Sequence, residues 1–175
     1  MKLWTRIRKR GRDSERKFIN YCAKHNELCV RANDLIYFLL EKRNRPALTY
    51  VETKEYRDNI KKIAKYLPIR VKSFLKKLSK QKAYYFGNYK CFALVDNPKI
   101  KRTIWDDFYT LPGMPDFAVY DKDRKNVYFV EIKSPRASLY PRQKKLIREL
   151  MKKSLDVYIV YPDKTKGWMQ ISILA

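Results

Sequence analysis

Apolar positions recur along this chain with two different periods. Phe18, Ile19 and Cys22 fall on one side of a 3.6-residue turn, and Ser14 ahead of them suits an N-cap. That spacing predicts a helix from Ser14 to about His25, preceded by a basic arm over residues 1–13. LCVRA follows as a short strand. Asn33 then suits the cap of a second helix, DLIYFLLEKR, with an apolar stripe of Leu35, Ile36, Leu39 and Leu40 that Pro46 closes. Ile60, Ile63, Ala64 and Leu67 keep helical spacing, and after Pro68 the pattern restarts at Val71, Phe74, Leu75 and Leu78. Two short amphipathic helices with a tight turn between them are expected. AYYFGNYKCFAL reads as two aromatic strands around a hairpin turn at Gly87-Asn88.

The C-terminal part returns to strands. DFAVY (116–120) and VYFVEI (127–132) flank the polar turn DKDRKN and read as a hairpin. PRQKKLIRELMKK predicts a helix with Pro141 in its first turn and Leu146, Ile147, Leu150 and Met151 on its buried face. LDVYIVY and WMQISI read as further strands. Strand, strand, helix, strand is an α/β order, with the helix across one face of a mixed sheet.

Charge changes the picture. The 175 residues carry 41 Lys and Arg against 18 Asp and Glu, a formal net charge of +23. Such a chain attracts polyanions, nucleic acid before an anionic membrane surface. No run of 18 apolar residues exists, and the N-terminus lacks the apolar segment of a secretory signal, so an intracellular protein is expected. Hydrophobic residues make up 45%, enough to bury a core. Cys22, His25 and Cys29 fall at i, i+3 and i+7, but a zinc site there needs a fourth ligand such as distant Cys91. Core thiols are the expected reading.

The stretch 127–135, VYFVEIKSP, places a carboxylate and an ammonium in an apolar strand. Side chains alternate along a strand, so Glu131 and Lys133 point the same way. Pairing with the preceding strand brings Asp116 near Glu131. Two carboxylates held together repel, and a divalent cation removes that penalty. Mg²⁺ suits oxygen ligands of this kind and activates water, while Lys133 either orients the attacking water or stabilises the pentacovalent transition state.

The combination of GMPDF, VYFVEIKSP and a glutamine early in the next helix resembles the PD-(D/E)XK nuclease superfamily, and within it the virus-type replication-repair (VRR-NUC) branch. The resemblance covers about residues 113–161. It implies that Asp116 and Glu131 are metal ligands, that Lys133 is the catalytic lysine, and that Gln143 is the family's helical glutamine. Gln143 precedes Leu146 and Ile147 by three and four residues and so faces the sheet. The family's first helix often adds a carboxylate, for which Glu15 is the candidate. Mg²⁺ is the implied cofactor, with Mn²⁺ as a substitute.

Three helices and a hairpin over residues 33–96 resemble a winged helix-turn-helix. That likeness would put Lys72, Ser73, Lys76 and Lys80 on a DNA-facing side, with Arg142 as a further DNA contact. A helical subdomain with a solvated lysine face is the plainer reading. The expected organisation is a basic arm and first core helix (1–32), the inserted module (33–96) and the catalytic core (97–175). The expected protein is a Mg²⁺-dependent DNA endonuclease with a restriction-endonuclease-like α/β core. The alternatives are a winged-helix regulator on an inert nuclease-like scaffold, and a homodimeric nuclease that resolves Holliday junctions.

Overall fold

The computed structural model describes the backbone of residues 3–39, 54–82, 84–91, 104–111, 113–134, 137–163 and 167–172, and the side chains within them except those of 3–12, 37, 79–91, 104–110, 163 and 167–172. The order is α1 (Leu3–Lys24), β1 (Glu27–Arg31), α2 (Ala32–Leu39), α3 (Lys54–Tyr66), α4 (Ile69–Lys82), β2 (Tyr84–Cys91), β3 (Ile104–Thr110), β4 (Phe117–Asp121), β5 (Asn126–Ile132), α5 (Pro141–Met151), β6 (Asp156–Asp163) and β7 (Gly167–Ser172).

Five strands form one sheet in the order β1-β4-β5-β6-β7. Only β5 and β6 run parallel, and α5 makes the crossover between them; the other neighbours are antiparallel. This is the mixed α/β sheet that the sequence order implies. All four residues from Phe117 to Tyr120 are buried, so β4 is covered on both faces. Ala118, Tyr120, Val127 and Phe129 share one core with Leu35, Ile63, Leu75 and Ile147 from the helices. Phe117, Val119, Val130 and Val160 pack on the other face against Phe18 and Cys22 of α1. The Phe18 and Phe117 rings lie 5.5 Å apart.

The structure corrects several expectations. The first helix begins at Leu3, so Ser14 lies inside it and not at its N-cap. The basic segment keeps helical spacing at Leu3, Trp4 and Ile7, and its Lys and Arg residues are good helix formers. Asn33 lies within the first turn of α2, and its Oδ1 accepts a hydrogen bond from Leu111 N at 3.3 Å. The proposed end of that helix at Pro46 lies outside the described residues.

Gly87-Asn88 is not a hairpin turn. Strand β2 runs straight through both residues and pairs with β3 from Tyr84↔Thr110 to Cys91↔Ile104. The register slips between Phe86 and Tyr89, where Gly87 and Asn88 together face a single residue of β3. That is a β-bulge, another place where a strand uses glycine. The strand expected beyond Cys91 lies outside the described residues.

The region expected as a winged-helix module shares its core with the sheet. Helices α2, α3 and α4 bury Leu35, Ile60, Ile63, Val71 and Leu75 in the same core as Phe129 and Ile147. Helix α3 packs directly on β1, β4 and β5. The two amphipathic helices either side of Pro68 form as the sequence predicts, with α3 packed on the sheet and α4 on α2 in one shared core.

Candidate active site

Asp116 enters the site through the turn that precedes β4. Gly113 takes φ +85°, a conformation that favours glycine. A Cβ there would sit 2.8 Å from the Arg142 carbonyl oxygen, so this turn lies directly against the first turn of α5. Met114 N donates to Leu111 O at 3.0 Å, and Met114 and Pro115 are buried beneath the turn. Ala32 N donates to the Asp116 carbonyl at 3.1 Å, which ties the turn to the β1–α2 junction. The Asp116 carboxylate accepts a hydrogen bond from Ile132 N at 2.8 Å. The register that sets Phe117 opposite Val130 therefore brings Asp116 to the end of β5, beside Glu131.

Glu131 is 2% exposed. Its Oε1 accepts from Lys133 Nζ and from Gln143 Nε2, each at 2.7 Å. Gln143 Oε1 in turn accepts from Lys133 Nζ at 3.1 Å and from the Tyr140 backbone N–H at 3.1 Å. Glutamine can close this ring because one amide both donates and accepts. Alternation along β5 and the placement of Gln143 on the sheet-facing side of α5 thus hold as read from the sequence. Glu131 Oε2 is buried and has no hydrogen-bond partner.

The electrostatics follow from this crowding. Burial pushes the Asp116 carboxyl up to about 7, and the neighbouring charges of Glu131 and Glu15 push the same way. The Ile132 N–H and Lys133 offset part of that rise. Burial also raises Glu131, against the opposing pull of Lys133 and Gln143. Two partly desolvated carboxylates side by side, one with an orphaned oxygen, are poorly satisfied by the protein alone. A hard divalent cation fits that donor set: two carboxylates with the remaining positions left to water and phosphate. Among the described residues, no group of three or more His, Cys, Asp and Glu side chains is disposed to hold a metal ion.

Glu15 approaches from α1, on the opposite face of the sheet. Its Oε2 pairs with Arg31 Nη2 at 2.9 Å. Its charge still reaches Asp116, but its hydrogen bond is to Arg31. Lys72 and Ser73 lie on α4, with Lys72 Nζ donating to Lys65 O at 3.4 Å. Ser73 is exposed and Lys76 half-buried, while the Lys80 side chain lies outside the described residues. Arg142 is exposed, one position before Gln143.

Cys22 is fully buried, as a core thiol should be, and the nearby Cys29 and its own burial push its pKa up. His25 instead stacks on Tyr21 with ring centroids 3.9 Å apart, and its Nδ1 donates to Tyr21 O.

Two residues beside the ring carry no motif. Arg31 is visible only once β1 is paired with β4, where it lies opposite Phe117. Tyr140 had a faint signal. It fills the N-cap of α5 ahead of Pro141, a position that ordinarily holds a small polar side chain.

Residues 88–163, fewer than half of the chain, match the VRR-NUC domain. That domain belongs to the PD-(D/E)XK superfamily of nucleases, which act on DNA and normally use divalent metals. The match takes in Asp116, Glu131, Lys133 and Gln143. No curated protein and no solved structure matches the chain.

Proposed function

We propose that the protein is a Mg²⁺-dependent DNA endonuclease whose reaction is hydrolysis of a phosphodiester bond. The observation that carries this reading is Glu131: a buried carboxylate with one oxygen clamped by Lys133 and Gln143 and the other without a partner. A buried carboxylate left so is costly unless something occupies its free oxygen. Asp116, pushed up to about 7 by burial and by Glu131, is the second oxygen donor at the same point.

Asp116 and Glu131 would hold the cation, and Glu15 would join them only by leaving Arg31. A bound Mg²⁺ supplies charge neutralisation at the phosphate and a more acidic water. The chain's own residues do the rest. Lys133 is held against Glu131 at 2.7 Å, and in this reading its ammonium donates to a non-bridging phosphate oxygen. Gln143 keeps Lys133 and Glu131 in one fixed arrangement, so little reorganisation is needed when the substrate arrives. The net charge of +23 draws the DNA, and Arg142, Lys72, Ser73, Lys76 and Lys80 are proposed phosphate contacts on the way to the site.

The test is incubation with labelled linear, flapped, branched and single-stranded DNA, with Mg²⁺, Mn²⁺ or a chelator. Cleavage with either metal, lost in chelator and in the Asp116→Asn protein, is expected. Equal cleavage by that variant would put the chemistry elsewhere.

A further inference from the structure

We propose that the Tyr140 ring is a stacking site for an unpaired nucleobase of the DNA strand being cut. The proposal rests on the nuclease reading for its substrate, but its observations are separate. Tyr140 is 70% exposed, a large apolar ring left in water. Lys133 Nζ lies 5.3 Å from the ring centroid, so one flank of the ring is occupied by the ammonium that meets the phosphate. The Tyr140 backbone N–H donates to Gln143 Oε1, and that same oxygen accepts from Lys133. The ring is therefore presented by a backbone fixed to the catalytic network.

The ring does little for the helix it precedes. Its side chain makes no capping hydrogen bond at the N-terminus of α5, where Ser, Thr, Asp or Asn would make one. Burial does not explain it either, because most of its surface faces solvent. An exposed aromatic beside a phosphate-binding cation is the arrangement used by proteins that hold single strands: the cation takes the backbone and the ring takes the base. Arg142, also exposed and two positions on, extends the positive charge along the same helix start. Bases inside a duplex already stack on one another, so a base offered to this ring has to be unpaired. Substrates with unpaired nucleotides next to the scissile phosphate are the class this site takes.

The test measures binding in chelator, where no cleavage interferes. The probe is a single-stranded DNA oligonucleotide carrying 2-aminopurine, and its fully paired duplex is the control. Wild type and Tyr140→Phe should quench the 2-aminopurine on binding. Tyr140→Ala and Tyr140→Leu should lose the quenching and roughly ten- to hundredfold of single-strand affinity, with duplex affinity and melting temperature unchanged. Equal losses on single strand and duplex, normal quenching by Tyr140→Leu, or no quenching by wild type would each overturn the proposal. Cleavage in Mg²⁺, measured separately, keeps the two readings apart. Cutting without quenching removes the stacking site alone, and quenching without cutting by any metal removes the nuclease alone.

Discussion

Gln143 Nε2 donates to Glu131 Oε1 over 2.7 Å, joining the first turn of α5 to the buried carboxylate of β5. The same side chain accepts from Lys133. Gln143→Ala should leave Lys133 and Glu131 to find new positions. Loss of such a supporting partner typically costs roughly 10- to 100-fold. Single-turnover cleavage should fall by that amount while DNA affinity in chelator stays within about twofold, because affinity comes from distributed basic charge. Unchanged cleavage would leave Gln143 as a helix-start residue only.

Asp116 links stability to pH. Its folded pKa of about 7 lies above the usual 3.8, so the folded state binds this proton more tightly than the unfolded state does. The resulting stability is fully present below about pH 4 and is lost as pH rises through 7. Asp116→Asn removes the titration. It should therefore melt higher than wild type at pH 8, with the difference shrinking towards pH 4. At roughly 1.4 kcal/mol per unit, the gain is a few kcal/mol at most. Mg²⁺ should raise the wild-type melting temperature at pH 8 and leave the variant unmoved. Thermal melts across pH, with and without the metal, check both statements.

Lys133→Met separates catalysis from attraction. The change leaves Glu131 buried without the cation on its Oε1, so the protein should lose stability as pH rises above the carboxylate range. Cleavage should fall by roughly two or more orders of magnitude, as losses of transition-state stabilisers do. The slope of log affinity against log salt should hardly change, since one of many basic groups is gone. A variant that binds poorly yet cuts normally at saturation would make Lys133 a phosphate anchor.

Gly113→Ala tests the contact between the Asp116 turn and α5. The new Cβ meets backbone 2.8 Å away, at a φ of +85°. Neither strain is relieved by a side-chain rotation. A loss of roughly 1–3 kcal/mol and a matching drop in cleavage are expected, because Asp116 and Gln143 are displaced together. Denaturant unfolding and single-turnover rates measure the two effects.

Leu75→Ala probes whether α4 is part of the core around the five-stranded sheet. Leu75 is fully buried in the cluster that contains Phe129 and Ile147. The substitution should cost roughly 2–5 kcal/mol. It should shift one cooperative transition that also carries the active site. Two separate transitions, with cleavage surviving the first, would favour an independent module between α1 and the β4–β5 hairpin.

Local rules made much of this protein readable from its sequence. Alternation put Glu131 and Lys133 on one face, and the 3.6-residue period turned Gln143 towards them. Both follow from backbone geometry alone. Pro68 divided two helices because proline interrupts helical hydrogen bonding, and DFAVY and VYFVEI announced a hairpin, although burial of β4 on both faces came only with the packing. Which surface an apolar stripe covers is a different matter. Val71 and Leu75 would suit a small module or a core shared with the five-stranded sheet equally well, and only packing assigned them to the shared core. Gly87-Asn88 suits a turn or a bulge, and the pairing of β2 with β3 decided for the bulge. The partnership of Glu15 with Arg31, and the placing of Tyr140 beside Lys133, join residues far apart in the chain or carrying no motif. Such contacts depend on strand order and on how α1 and α5 seat on opposite faces of the sheet. These are long-range consequences of burying one core, and no local period encodes them.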